Sequence, residues 1–148
     1  MKTNGSKFEY EKERNHDLML AYHSLIELSS HICLPEIYKK VVNMPSLRFW
    51  VSEERAAVVI SAMFRAKNIN DVLRNMRKCK REMFREIYRR AVAMKKSNPQ
   101  MPLSEISMRV VRQPAPKFYL TPGSARVIIY KAKSEWYTTR RRKLRHLF

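Results

Sequence analysis

Apolar residues along the chain fall into helical phases broken by polar or proline-bearing segments. Residues 1–15 are polar and charged without a period and read as a flexible tail, with the start of a helix left open at Phe8–Arg14. From His16, Leu18, Tyr22, Leu25 and Ile26 recur on one helix face, since residues three and four apart share a side. That helix should stop near Ser29–His31. Pro35 suits the first turn of a short second helix over Glu36–Asn43, where its missing N–H costs nothing; Ile37 and Val41 face inward. Pro45 ends it, and Leu47–Val51 reads as extended. Ser52, then Glu53 and Glu54, make a helix start: a hydroxyl cap followed by acids at the positive end of the dipole. Ala56, Val59, Ile60 and Met63 give the inner face of this third helix, which runs to about Ala66.

The same succession follows a link over 67–79, which holds the turn formers Asn68, Asn70 and Asp71 and a short helical stretch at Val72–Met76. Lys80–Lys96 is a long helix with Met83, Ile87, Ala91 and Met94 on one side. Ser97-Asn98-Pro99 ends it. Ser104-Glu105 opens a short helix to Arg112. Pro114 and Pro116 hold the next stretch extended, because proline fixes its own φ and disfavours helix just before it. Thr121-Pro122 caps and opens a last helix to about Leu144, with Ala125, Ile128, Ile129, Ala132 and Trp136 as its apolar stripe.

Aligned without a gap, Leu34–Ile60 and Leu103–Ile129 match at ten positions. The pairs are Leu34/Leu103, Glu36/Glu105, Ile37/Ile106, Val41/Val110, Val42/Val111, Pro45/Pro114, Phe49/Phe118, Ala56/Ala125, Val58/Val127 and Ile60/Ile129. Such self-similarity is the mark of a duplicated unit. It predicts an all-α fold of two tandem trihelical units, 16–66 and 80–139, with long extended connectors before each third helix and a basic tail over 140–148. Matching Tyr22 with Tyr88 leaves the first helices about three residues out of step. Phe49 and Phe118 read as core anchors. Trp50 and Tyr119 should point the other way, into packing between the units or outward as stacking faces for a base.

Composition narrows the chemistry. Two glycines, Gly5 and Gly123, exclude a phosphate-binding P-loop and a dinucleotide-binding turn, which need several. Two cysteines, Cys33 and Cys79, make no disulfide framework. No leader-like apolar run and no bilayer-length stretch occur, so the expectation is a cytoplasmic protein. The net charge of +18 is unevenly placed: residues 1–64 hold eight Lys/Arg and eight Asp/Glu, and residues 65–148 hold 23 and five. A basic second half expects a polyanionic partner, most often nucleic acid. The neutral first half is then left for packing, self-association or a protein partner.

The Leu103-Ser104-Glu105-Ile106 stretch, at the start of the short second helix of a three-helix unit, resembles the helix-turn-helix superfamily. The likeness covers roughly residues 16–64 and 80–133. It implies a third helix that enters the major groove of DNA. The connectors Asn43–Val51 and Gln113–Leu120 are longer than the tight turn of that family, so either the turn is expanded or this is another trihelical module.

On this reading the last helix supplies the contacts. Thr121, Ser124 and Arg126 lie in its first turns, Gly123 permits close backbone approach, and free N–H groups there can hold a phosphate. Arg126 can pair with both acceptors of guanine. Arg109, Arg112 and Lys117 are expected to flank it as phosphate contacts, with Lys131 and Lys133 further along. Arg140, Arg141, Arg142, Lys143 and Arg145 form a basic arm. Arg81, Arg85 and Arg89, four residues apart, make a stripe and a second phosphate track. Six neutralised phosphates would give log affinity against log salt a slope of roughly −5.

An enzyme is not expected: Asp17 and Asp71 are the only aspartates, and no carboxylate cluster suits two-metal chemistry. His23, His31 and Cys33 lack a fourth ligand for zinc, and no cofactor is implied. The leading expectation is a small DNA-binding regulator or an accessory protein of a phage or mobile element. The alternative is a basic structural or assembly protein that contacts nucleic acid without sequence preference, and RNA is a third option.

Overall fold

A computed structural model describes residues 4–145, with side chains from residue 10 onward. The extreme ends of both expected tails, 1–3 and 146–148, lie outside the described residues. The chain is all-helical: α1 Asn4–Leu28, α2 Leu34–Val41, α3 Glu53–Arg65, α4 Ile69–Leu73, α5 Lys78–Ser97, α6 Leu103–Val111 and α7 Pro122–Arg145. No described helix is long and apolar enough to cross a membrane.

Local chemistry accounts for most boundaries. The Ser52 Oγ accepts the Arg55 N–H at 3.1 Å, and Glu53 and Glu54 occupy the first turn of α3. Asn68 Oδ1 does the same for Asn70 at the start of α4. Pro35 sits in the first turn of α2. At α7, Thr121 Oγ1 accepts the Ser124 N–H at 3.1 Å.

The expected tail over 1–15 is corrected: from Asn4 onward it is helical, the first turns of α1. Glu and Lys sustain helix there, and Tyr10 ties it to the smaller core, its hydroxyl donating to the Trp50 carbonyl. The basic tail is likewise the last part of α7 as far as Arg145.

The step of 69 residues from Leu34 to Leu103 extends over the whole helical plan. Leu28 and Ser97 end the first helices, and Glu53 and Pro122 begin the third. Leu18 and Ile87, both fully buried, are equivalent, and Tyr22 corresponds to the buried Ala91. The expected offset through Tyr88 is therefore corrected to none.

The two connectors cross. Ser46 and Ala115, equivalent by the same step, exchange both backbone hydrogen bonds at 3.0 Å as an isolated antiparallel bridge. Around them, the Phe49 N–H donates to the Val111 carbonyl and the Phe118 N–H to the Val42 carbonyl, each at 3.0 Å. Every bond has its counterpart 69 residues on, which is a local two-fold relation. Ser46 and Ala115 are 3% and 2% exposed, so their backbone groups need these partners.

The crossing sends each third helix to the opposite half. Helix α3 packs on α5 and α6, and α7 packs on α1 and α2. One core gathers Phe49, Val59, Ile60, Met63, Phe84, Ile87, Ile106 and Val110, with Leu73 of α4 closing it. The other gathers Leu18, Tyr22, Ile37, Val41, Trp50, Phe118, Ala125 and Ile129. Among the described residues the first holds fifteen buried residues and the second nine, so the first is the larger core. The self-contained packing expected of residues 16–66 and 80–139 is thus replaced by an exchange.

Both connector aromatics take part. Phe49 enters the larger core and Trp50, 7% exposed, the smaller. Tyr119 stacks on Phe49 at 6.0 Å between centroids. Its φ of 56° is left-handed, an unusual state for an aromatic residue. The packing expectation for this pair describes both rings.

Two carboxylates, one buried and one half-buried, hold the crossing in place. Asp17 Oδ2 accepts hydrogen bonds from Ser46 Oγ at 3.0 Å, Leu47 N–H at 3.0 Å and Trp50 Nε1 at 3.2 Å. Its equivalent, Glu86, pairs with Arg89 and Arg90. Arg90 in turn donates to Gln113 Oε1 and the Pro114 carbonyl, and its guanidinium lies 4.9 Å from the Phe49 ring centroid. One carboxylate grips its connector directly, the other through an arginine.

Candidate nucleic-acid interface

Helix α7 carries eight Lys/Arg and one acid, and α5 carries eight and two. The exchange places one of these helices on each core. The helices α1, α2 and α7 together hold thirteen Lys/Arg and seven Asp/Glu, and α3, α5 and α6 hold eleven and five. Each set therefore sums to +6. The division into a neutral and a basic half exists along the sequence only.

Each set holds paired and unpaired cations: Lys39 of α2 pairs with Glu36, and Lys78, Lys80, Lys95 and Lys96 of α5 have no acidic partner among the described residues. Around the larger core, Arg89 pairs with Glu86, Arg109 with Glu105, Arg112 with Glu53 and Lys117 with Glu82. Arg85 donates to Asn70 Oδ1 at 3.2 Å, and Arg81 is half-buried without a side-chain partner among the described residues. The hydrogen bond from Arg89 holds Glu86 below the usual carboxylate range, and that from Lys117 does the same for Glu82. Burial, with Glu86 close by, pushes the Tyr119 phenol up to about 12.

On α7, Arg126, Lys131, Arg141, Arg142, Lys143 and Arg145 are exposed and have no acidic partner among the described residues. Lys133 is engaged: its Nζ donates to the Tyr22 hydroxyl at 2.6 Å and lies over that ring. The Arg140 guanidinium stands 5.2 Å from the Trp136 centroid.

Several expected site residues are relocated. Arg109, Arg112 and Lys117 do not flank α7: α6 packs on α3, and Arg112 binds Glu53 of α3 at 2.7 Å. The helix beside α7 is α2, which brings exposed Lys39 and Lys40. The repeat holds the signal for them, since Lys40 is the counterpart of Arg109, but only if the exchange is allowed for. Arg81, Arg85 and Arg89 lie on α5, in the other helix set. At the α7 start, the Ser124 N–H is occupied by Thr121, so it is not open to a phosphate. A Cβ on Gly123 would meet nothing within 4 Å, so the backbone there is openly accessible.

The first 12 residues of α7, Pro122–Lys133, correspond to α3 and use Ala125 and Ile129 to pack. Beyond them, residues 134–145 are all exposed. The matching stretch after α3 turns instead into α4, whose Leu73 is buried. Helix α7 thus combines an anchored segment with a projecting one.

No group of three or more His, Cys, Asp or Glu is placed to hold a metal among the described residues. Compared with protein-family models, curated proteins and solved structures, the chain gives no match in any of the three.

Proposed function

We propose that this protein binds nucleic acid, principally duplex DNA, through α7, and acts without catalysis as a small regulator or accessory protein in the cytoplasm. The observation that carries the reading is the set of exposed α7 cations, Arg126, Lys131, Arg141, Arg142, Lys143 and Arg145, without an acidic partner among the described residues, on a helix that projects past its core. Ion-paired arginines must give up a partner to bind a phosphate; the α7 cations need only release counterions.

The exchange refines the helix-turn-helix likeness. We infer a duplicated trihelical module in which second and third helices come from opposite halves: α2 with α7, and α6 with α3. In the α1–α2–α7 module, α7 would enter the groove with Arg126 and Lys131 outward, Lys39 and Lys40 would face the backbone, and 140–145 would follow phosphates. The α3 counterpart of Arg126 is Ala57, which brings no charge. The α3 module is therefore the structural partner.

Selection from a random duplex pool over a range of salt tests this. A preferred site, a slope near −5 and loss of preference in Arg126→Ala are expected. Arg141→Ala with Arg142→Ala should lower the slope by about two, one per phosphate contact. Arg109→Ala with Arg112→Ala should leave it unchanged. Binding of all duplexes alike would favour the assembly reading. One feature supports that reading: residues 140–143 advance about 100° each, so their cations encircle the helix instead of marking one face.

A further inference from the structure

The projecting end of α7 exposes aromatic rings among its cations. Trp136 is 55% exposed and Tyr137 58%, their ring centroids 5.1 Å apart in an edge-on arrangement. Tyr130, 75% exposed, lies two turns earlier on nearly the same side as Tyr137. No core residue covers Trp136 or Tyr137, although Trp136 continues the inner stripe of Ala125 and Ile129. In the first half, the chain beyond α3 folds back as α4 and supplies the cover that α7 lacks.

An exposed ring face gains little from a duplex, whose bases are already stacked on each other. An unpaired base presents its own π face, and stacking on aromatic residues flanked by cations is the general mode of single-strand binding. The five cations of Arg140–Arg145 select a polyanion over an apolar protein surface or a second copy of this +18 chain. Arg140, already over the indole, can stay stacked while its charge meets a phosphate.

We propose that the end of α7 takes unpaired bases of a nucleic acid, stacking them on Trp136 and Tyr137 while the cations of 140–145 hold the adjoining phosphates. The proposal rests on the nucleic-acid reading and names the form of its ligand at this end: a single-stranded segment, alone or beside a duplex.

The chain has two tryptophans, and Trp50 is 7% exposed, so quenching of exposed indole reports Trp136. The full chain is titrated with an oligothymidylate, a blunt-ended duplex of equal phosphate count, heparin and phosphatidylglycerol vesicles. The expected result is quenching by the oligothymidylate alone, abolished in Trp136→Phe. Trp136→Ala and Tyr137→Ala should each weaken oligothymidylate binding roughly ten-fold and leave heparin affinity unchanged. Equal quenching by heparin, aromatic variants that bind the single strand like wild type, or a blue-shifted indole on vesicles with no response to the oligothymidylate would each overturn the proposal. If the duplex binds but the single strand does not quench, this inference fails and the duplex reading stands. If no nucleic acid binds, both fail.

Discussion

The larger core, around α3, α5 and α6, and the smaller, around α1, α2 and α7, follow one plan displaced by 69 residues, yet they are finished differently. The larger is closed by α4, and beside it Arg109, Arg112 and Lys117 of α6 and the second connector are paired with acids. The smaller lacks such a cover, and α7 continues past it for three turns with open cations and rings. Net charge does not separate them, since each helix set sums to +6. What separates them is the course of the chain after the third helix: it folds back over the larger core as α4 and runs on past the smaller core as the end of α7.

The largest effects should come from the connector phenylalanines. Phe49→Ala empties the centre of the larger core and removes the ring beneath Arg90; a loss of about 4–5 kcal/mol is expected. Phe118→Ala, in the smaller core, should cost about 3 kcal/mol. Urea unfolding compares the two, and an equal or inverted order would break the distinction between the cores.

Next in size is Asp17→Ala. It leaves the Ser46 hydroxyl, the Leu47 N–H and the Trp50 indole N–H without their shared acceptor, a loss of about 2–3 kcal/mol. Glu86→Gln should cost less, about 1 kcal/mol, because Arg90 keeps its bonds to Gln113 and Pro114. Equal losses in the same unfolding assay would show that the two clamps act alike.

The smallest effect is a pH dependence. Glu82 and Glu86 are held below the ordinary carboxylate range by Lys117 and Arg89. Their contribution is present above the unfolded-state value, about 4.3, and is lost as pH falls through the lowered folded values. Stability of the wild type should therefore decline below about pH 4.3, and Glu82→Gln with Glu86→Gln should flatten that part of the curve. An unchanged acid limb in the double variant would remove these ion pairs from the holding of the second connector.

Much of the helical plan is legible in the sequence. Ser52-Glu53-Glu54, Pro35 and Thr121-Pro122 mark helix starts that the structure contains within two residues. The first turn of α1, before Phe8, is not legible, because no apolar stripe marks it and the contact of Tyr10 with Trp50 that ties the segment down is a tertiary one. The exchange is not legible for a different reason. Ala56 and Ile60 match Ala125 and Ile129, so either third helix satisfies either core, and the apolar pattern is indifferent to which it joins. That choice lies in the crossing itself, in backbone bonds between Ser46 and Ala115 and in the grip of Asp17 on one connector. The same indifference misdirects the site. Arg112 and Lys117 look adjacent to α7 along the chain, but they travel with α6 and the second connector to Glu53 and Glu82. The open cations of α7 itself are readable from the run Arg140–Arg145, because no acid lies within reach in sequence.

Separating the chain in the link before α5 tests the exchange most directly. Fragments 1–66 and 67–148 each hold two helices of one core and the third helix of the other. Each fragment alone should lack a cooperative thermal transition followed by circular dichroism, and mixing them should restore helicity and a cooperative melt in a one-to-one complex. A fragment that is monomeric, helical and cooperatively folded by itself, with nothing gained on mixing, would contradict the exchange and return each third helix to its own half.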